Sequence, residues 1–193
     1  MNTRPNILPP PNRRIVVVGT SGAGKSYVAQ RLAQIKRLPY VCNDAILWRP
    51  NWRQNPQPQR FIEFDLATQP DGWTFDGNLG SLKDAEDILI LARADTLVWL
   101  DLPRLEVMRQ LLMRTIRRSW TGESLWHGNR ESWRLSFASR DSVLLWSWQS
   151  FPVRRRQYTA IFADDRWSHL RRIRLRSRAA VGRWLDAVEG NSV

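Results

Sequence analysis

Ile15-Val16-Val17-Val18-Gly19-Thr20-Ser21-Gly22-Ala23-Gly24-Lys25-Ser26 is the stretch on which the fold turns. Four β-branched apolar residues in succession show no polar alternation, so they read as a strand buried on both faces, as in a parallel sheet. Gly19 to Ser26 then satisfies G-x-x-x-x-G-K-[ST], the phosphate-binding loop. Glycines let successive backbone N–H groups turn inward as an anion nest, and the helix that follows adds the positive end of its dipole. From Lys25 the pattern becomes helical: Val28, Ala29, Leu32, Ala33 and Ile35 share one face, and Pro39 ends the run. A chance match to the loop motif has no reason to sit between a buried strand and an amphipathic helix. Gly19, Ser21, Gly22, Ala23, Gly24 and Tyr27 are therefore expected to cradle the phosphates of ATP. Lys25 is expected to bridge the β- and γ-phosphates, and the Ser26 hydroxyl to ligate Mg²⁺.

Outward from the loop, strands and helices alternate. Tyr40–Cys42 reads as a second strand ending at Asp44, Trp73–Phe75 as a third ending at Asp76, and Thr96–Leu100 as a fourth ending at Asp101. Leu170–Leu175 is a fifth. Helices are expected over Phe61–Leu66, Asp84–Leu91, a run opened by Pro103 with Leu105, Met108, Leu111, Leu112 and Ile116 as its apolar stripe, and Ala179–Val188. Val143–Trp148 and Val153–Phe162 read as two helices split at Pro152, and Pro50–Gln59 as an exposed loop on the ligand side. This alternation argues α/β: a three-layer α/β/α domain over residues 14–193 with a five-stranded parallel sheet, preceded by a flexible Pro-rich tail at 1–13. Ligands of such sheets bind outside the carboxyl ends of the strands, where Asp44, Asp76 and Asp101 fall beside Lys25 and Ser26. A carboxylate there can hold Mg²⁺ or take a proton from a substrate hydroxyl; as a bland alternative, Asp after a strand is a common helix cap.

Composition narrows the classes. The chain has 193 residues, 42% hydrophobic and 25% charged, enough apolar content for a packed core. No run of about 18 apolar residues is present, which excludes a helical membrane span. A lone Cys42 cannot build a disulfide framework and points to the cytoplasm. No Cys/His spacing suits structural zinc, and His127 and His169 have no partner pattern. Of 30 basic residues 27 are Arg, and the net charge of +12 divides into +3 over residues 1–100 and +9 over 101–193. Arginine forks suit phosphate, so the excess fits nucleotide phosphates, a nucleic acid bound through the basic carboxyl half, or solubility alone. Six of the eleven Trp lie between Trp120 and Trp167; Trp120, Trp126 and Trp133 could line a base or substrate pocket or form ordinary core.

Several short motifs also occur in a fixed order. They are Asp44-Ala45-Ile46-Leu47-Trp48-Arg49-Pro50 with Trp52, Trp73-Thr74-Phe75-Asp76-Gly77-Asn78, Arg93-Ala94-Asp95-Thr96, Leu100-Asp101-Leu102-Pro103-Arg104, Phe151-Pro152 with Arg154 to Arg156, and Leu175-Arg176-Ser177-Arg178. With the loop, this order resembles the adenylate-kinase-like P-loop family labelled topology modulation protein (FlaR), over roughly residues 14–188. The resemblance implies a nucleoside-monophosphate-kinase-like fold with a helical, Arg-bearing lid at about 115–156. It implies Asp76 as the acid that organises Mg²⁺, Asp44 as the acid that meets the acceptor hydroxyl, and Arg114 and Arg118 on nucleotide and phosphates. Arg155 falls on the returning lid arm. The chain reads Asp76-Gly77-Asn78-Leu79 where adenylate kinase has D-G-F-P-R, and Arg49, Arg53 and Arg60 are the candidates for an acceptor phosphate.

The expected activity is transfer of the γ-phosphate of Mg-ATP to a small nucleotide or hydroxylated acceptor. A DNA-associated ATP-binding protein is the alternative, although no helix-turn-helix, zinc-finger or RNA-binding signature is present. A GTPase is disfavoured because the guanine-reading N-K-x-D motif is missing. The sequence leaves the acceptor and the oligomeric state open.

Overall fold

The computed structural model describes residues 13–79, 84–130 and 143–190. The expectations for the tail at 1–12 and for Trp133 lie outside the described residues. Five parallel strands form the main sheet: β1 (Arg14–Val18), β2 (Tyr40–Cys42), β5 (Trp73–Gly77), β6 (Thr96–Leu100) and β7 (Arg171–Leu175), in the order β2-β5-β1-β6-β7. The central strand is the quoted β-branched run. Its residues alternate between two cores: Val16 and Val18 pack with Phe64, Phe75, Ile90 and Trp99, whereas Ile15 and Val17 pack with Val28, Leu32, Val98 and Leu185. All four are at most 2% exposed, and each such side chain contributes roughly 1.5–3 kcal/mol of burial.

Helices α1 (Lys25–Lys36), α5 (Arg104–Thr121) and α7 (Arg178–Gly190) supply apolar residues to the Ile15–Val17 core. Helices α3 (Gln57–Ala67) and α4 (Ala85–Arg93) supply the opposite one. This is the three-layer α/β/α architecture read from the alternation of elements. Arg13, assigned to the tail by the sequence, belongs to this architecture, its carbonyl accepting from the Trp73 amide at 2.7 Å.

Three local expectations are corrected. Val143 to Ala163 is one helix, α6, with Pro152 inside it. Proline removes the N–H that the Trp148 carbonyl would accept, and Arg104 Nη2 fills that role at 2.6 Å with its guanidinium lying 3.4 Å from the centre of the Trp148 ring. Pro50–Gln59 is not a plain loop: Trp48–Arg49 (β3) and Arg53–Gln54 (β4) pair as a hairpin, and α3 begins at Gln57. Asp44 stands in the first turn of a short helix, α2 (Asn43–Leu47), directly after β2.

Candidate active site

The phosphate loop joins the central strand to α1. Gly22 and Gly24 both have φ of +90°, a conformation L side chains rarely adopt. A Cβ at Gly22 would lie 2.7 Å from the Val107 carbonyl and 2.8 Å from Leu111 Cβ, so glycine lets α5 close on the loop. A Cβ at Gly24 would meet nothing within 4 Å, which leaves open space above the loop amides for an anion. Gly19, Ser21 and Ala23 complete this turn, and Lys25 Nζ donates to the Thr20 carbonyl at 3.2 Å. Burial pulls the Lys25 ammonium below its ordinary 10.5, with Arg114 and Arg154 adding to the fall and Asp76 and Asp44 opposing it. A poorly solvated ammonium gains most when polyphosphate arrives. The Tyr27 side chain is 66% exposed, which leaves its first-turn amide as the part nearest the cradle.

Parallel pairing of β1 with β5 sets Asp76 opposite Val17, so its carboxylate emerges beside the loop. The Ser26 hydroxyl donates to Asp76 Oδ2. The other oxygen, Oδ1, is buried and has no hydrogen-bond partner among the described residues. An orphaned carboxylate oxygen beside a hydroxyl is a hard oxygen donor set, and it fits Mg²⁺. From β2, the Tyr40 hydroxyl and Cys42 thiol crowd this pair; burial and the Asp76 charge push the thiol up to about 11. Tyr40 was not singled out by sequence reasoning, because a strand tyrosine carries no signal of what it faces.

Asp44 lies across from Lys25. Burial raises its proton affinity above that of an ordinary carboxylate, while Lys25 and Arg114 pull the other way. Arg114, from α5, thus acts on both Lys25 and Asp44. Arg118 is largely buried one turn on and lies 3.6 Å from Glu123. Arg155 is placed differently from its expectation: its Nε donates to Asp101 at 2.9 Å, and Arg174 holds the same carboxylate at 2.7 Å. Asp101 is consequently consumed by two guanidinium groups. From that same helix it is Arg154 whose charge reaches Lys25, and its Nη1 donates to the Asn78 carbonyl at 3.2 Å. Within the run Arg154 to Arg156, only the phase of the helix decides which residue turns inward.

Between Asp44 and Asp76 the chain builds a side wall. Trp48 and Trp52 meet edge-to-face at 5.7 Å, and Trp52 meets Trp126 at 6.5 Å. Asn129, 4% exposed, clasps the hairpin: it accepts from the Trp52 amide and donates to the Arg49 carbonyl, both at 3.0 Å. His127 Nε2 lies 2.9 Å from the Ala45 carbonyl. So the segment after α5 reaches across the mouth to α2 and the hairpin. Trp126 belongs to this wall, whereas Trp120 is 82% exposed and does not.

No protein-family model matches the chain, nor does any curated protein. Solved structures share its fold. A shikimate kinase from Bacteroides thetaiotaomicron superposes with a TM-score of 0.56 at 11% identity, over 93% of this chain and 97% of its own. A gluconokinase from Sinorhizobium meliloti aligns at 15% identity with a TM-score of 0.48, over 94% and 98%. The chain has the P-loop kinase-like α/β fold.

Proposed function

We propose that this protein is a P-loop phosphotransferase that moves the γ-phosphate of Mg-ATP to a hydroxyl of a small acceptor. The observation that carries the reading is the convergence of Lys25, the Ser26–Asp76 pair with its orphaned oxygen, and the half-buried Asp44 at one mouth of the sheet. Lys25 and the loop amides hold the donor phosphates. Mg²⁺, when bound at Ser26 and Asp76, neutralises phosphate charge. Asp44 accepts the proton of the acceptor hydroxyl as the new O–P bond forms, the bond to the departing ADP breaks, and ADP leaves with its electron pair. Its raised proton affinity is the direction a base needs. Arg114 and Arg154 face the same charge, and closure of the segment at about 115–156, which carries Arg118 and Arg155, would exclude water from the reaction. The finer kinship to adenylate-kinase-like topology modulation proteins rests on the order of the sequence motifs.

The test is ATP consumption with Mg²⁺ across a panel of hydroxylated acceptors, beside Lys25→Ala. Acceleration by an acceptor, reduced at least about 10²-fold in the variant, is expected. Hydrolysis that no acceptor accelerates overturns the reading.

A nucleic-acid partner is the second reading, favoured by the exposed side chains of Arg109, Arg171, Arg176, Arg178 and Arg183 on α5, β7, α7 and their connection. It requires duplex DNA binding that weakens steeply with salt.

A further inference from the structure

Resting on the phosphotransferase reading, the geometry points to an acceptor that is an uncharged, ring-shaped polyhydroxy molecule rather than an anion. The acceptor side lies between Asp44 and Asp76, and its arginines are the groups that would take a phosphate or carboxylate. Two of the three are neutralised from within. Arg49 pairs with Glu63. Arg60 Nε donates at 2.6 Å to Glu86, a residue 4% exposed. Even Arg93, at the far end of α4, is held by Asp65 at 2.7 Å. Arg53 points into solvent from the hairpin. An acceptor anion would have to compete with carboxylates already seated on these guanidinium groups, and displacing a buried partner leaves that carboxylate uncompensated. Arg114 and Arg154 are the guanidinium groups whose charge reaches Lys25, and on the phosphotransferase reading the donor polyphosphate is what takes up these three cations.

What the wall offers instead is hydrogen-bond acceptors and aromatic faces. Asp44 is one acceptor. Two residues after Asp76, Asn78 Oδ1 is an acceptor that is buried and without a partner among the described residues. Acceptor-lined surfaces take donors, and hydroxyl groups are the uncharged donors that a small acceptor carries. Trp48, Trp52 and Trp126 form an indole cluster on elements that adjoin α2, the helix that carries Asp44, and an indole suits the flat face of a ring. Trp52 has φ of +56°, a left-handed conformation that a bulky residue adopts only when its surroundings impose it. The Asn129 clasp and the bond from Trp52 Nε1 to the Arg130 carbonyl at 3.3 Å impose it here. Strain of this kind collects where a ligand is clamped.

A free sugar or cyclitol and the ribose of a nucleoside share this chemistry, and matched pairs separate them. Calorimetry with a non-hydrolysable Mg-ATP analogue present would compare adenosine with AMP, and glucose and inositol with glucuronate and inositol monophosphate. The neutral member of at least one pair is expected to bind about tenfold or more tightly than its anionic partner. In Glu63→Gln, which strips Arg49 of its carboxylate, the anionic partner should gain about fivefold to tenfold. Equal or tighter binding of the anions, no binding by any neutral compound, or an unchanged gap in Glu63→Gln overturns the inference. Parallel ATP consumption keeps the two readings apart. A neutral ring that binds without being phosphorylated sinks the phosphotransferase alone, whereas a phosphorylated anion that binds more tightly sinks the inference alone.

Discussion

Lys25 illustrates how a functional residue is held against its own preference. Its ammonium sits where burial depresses its proton affinity below 10.5, so the folded protein disfavours the charge that the unfolded chain carries freely. A base with a depressed folded pKa burdens the fold most below that depressed value, and the burden disappears as pH rises toward 10.5. Lys25→Met, which keeps an unbranched side chain one atom shorter and removes the charge, should therefore raise the stability of the ligand-free protein at pH 7 by about 1 kcal/mol. Urea denaturation at pH 7 and pH 10 checks the sign: the advantage of the variant must shrink at the higher pH. A gap of equal size at both would mean that packing, not charge, is responsible. The same substitution should lower acceptor-dependent turnover on the order of 10²- to 10³-fold, so stability and activity move in opposite directions.

At the scale of elements, α6 shows a tertiary partner overriding local chemistry. Proline in a helix interior costs about 3 kcal/mol through a lost hydrogen bond and a steric clash. Arg104 meets the freed Trp148 carbonyl from α5 and stacks on the Trp148 ring. Arg104→Ala is expected to destabilise by about 1–2 kcal/mol, and by less when Pro152→Ala has already restored the amide. Chemical denaturation of the two single variants and the double variant gives the coupling, and strict additivity would sink the explanation. This pairing also marks the limit of what the sequence carries. β1, the loop and α1 were legible because strand, glycine turn and amphipathic helix are each written in consecutive residues. The continuity of α6 was not, since it depends on an arginine 48 positions upstream of the proline. The β3–β4 hairpin was hidden likewise, being fixed by Asn129 from a distant segment. At the site, Lys25, Ser26 and Asp76 could be read from motif and strand position. Choosing Arg154 over Arg155 required the phase of a helix that sequence reading had broken in two.

For the whole molecule the governing quantity is the charge of +12, carried mostly by arginine. Much of it is already employed in structure: Arg155 and Arg174 on Asp101 tie α6 and β7 to the end of β6, and Arg172 donates to the Phe162 and Asp164 carbonyls. The remainder repels itself and favours any bound anion. A polyanion can accordingly stabilise this protein in two ways, by general screening or by occupying the loop above Gly24, and the two scale differently. Screening follows ionic strength and has no saturation at micromolar ligand, whereas site binding follows RT ln(1 + [L]/Kd), about 2.7 kcal/mol at a hundredfold excess over Kd. For a chain of this size that corresponds to a rise in Tm of roughly 5–11 °C. Thermal denaturation with Mg-ATP titrated at fixed ionic strength is expected to show this saturable rise in the natural sequence. In Lys25→Ala most of it should vanish, while the shift produced by added NaCl persists, because one charge of thirty leaves the overall field almost unchanged. If ATP and an equally charged inorganic polyphosphate raise Tm alike in both proteins, the nucleotide is acting as counterion, and the excess arginine rather than the loop is what recognises it.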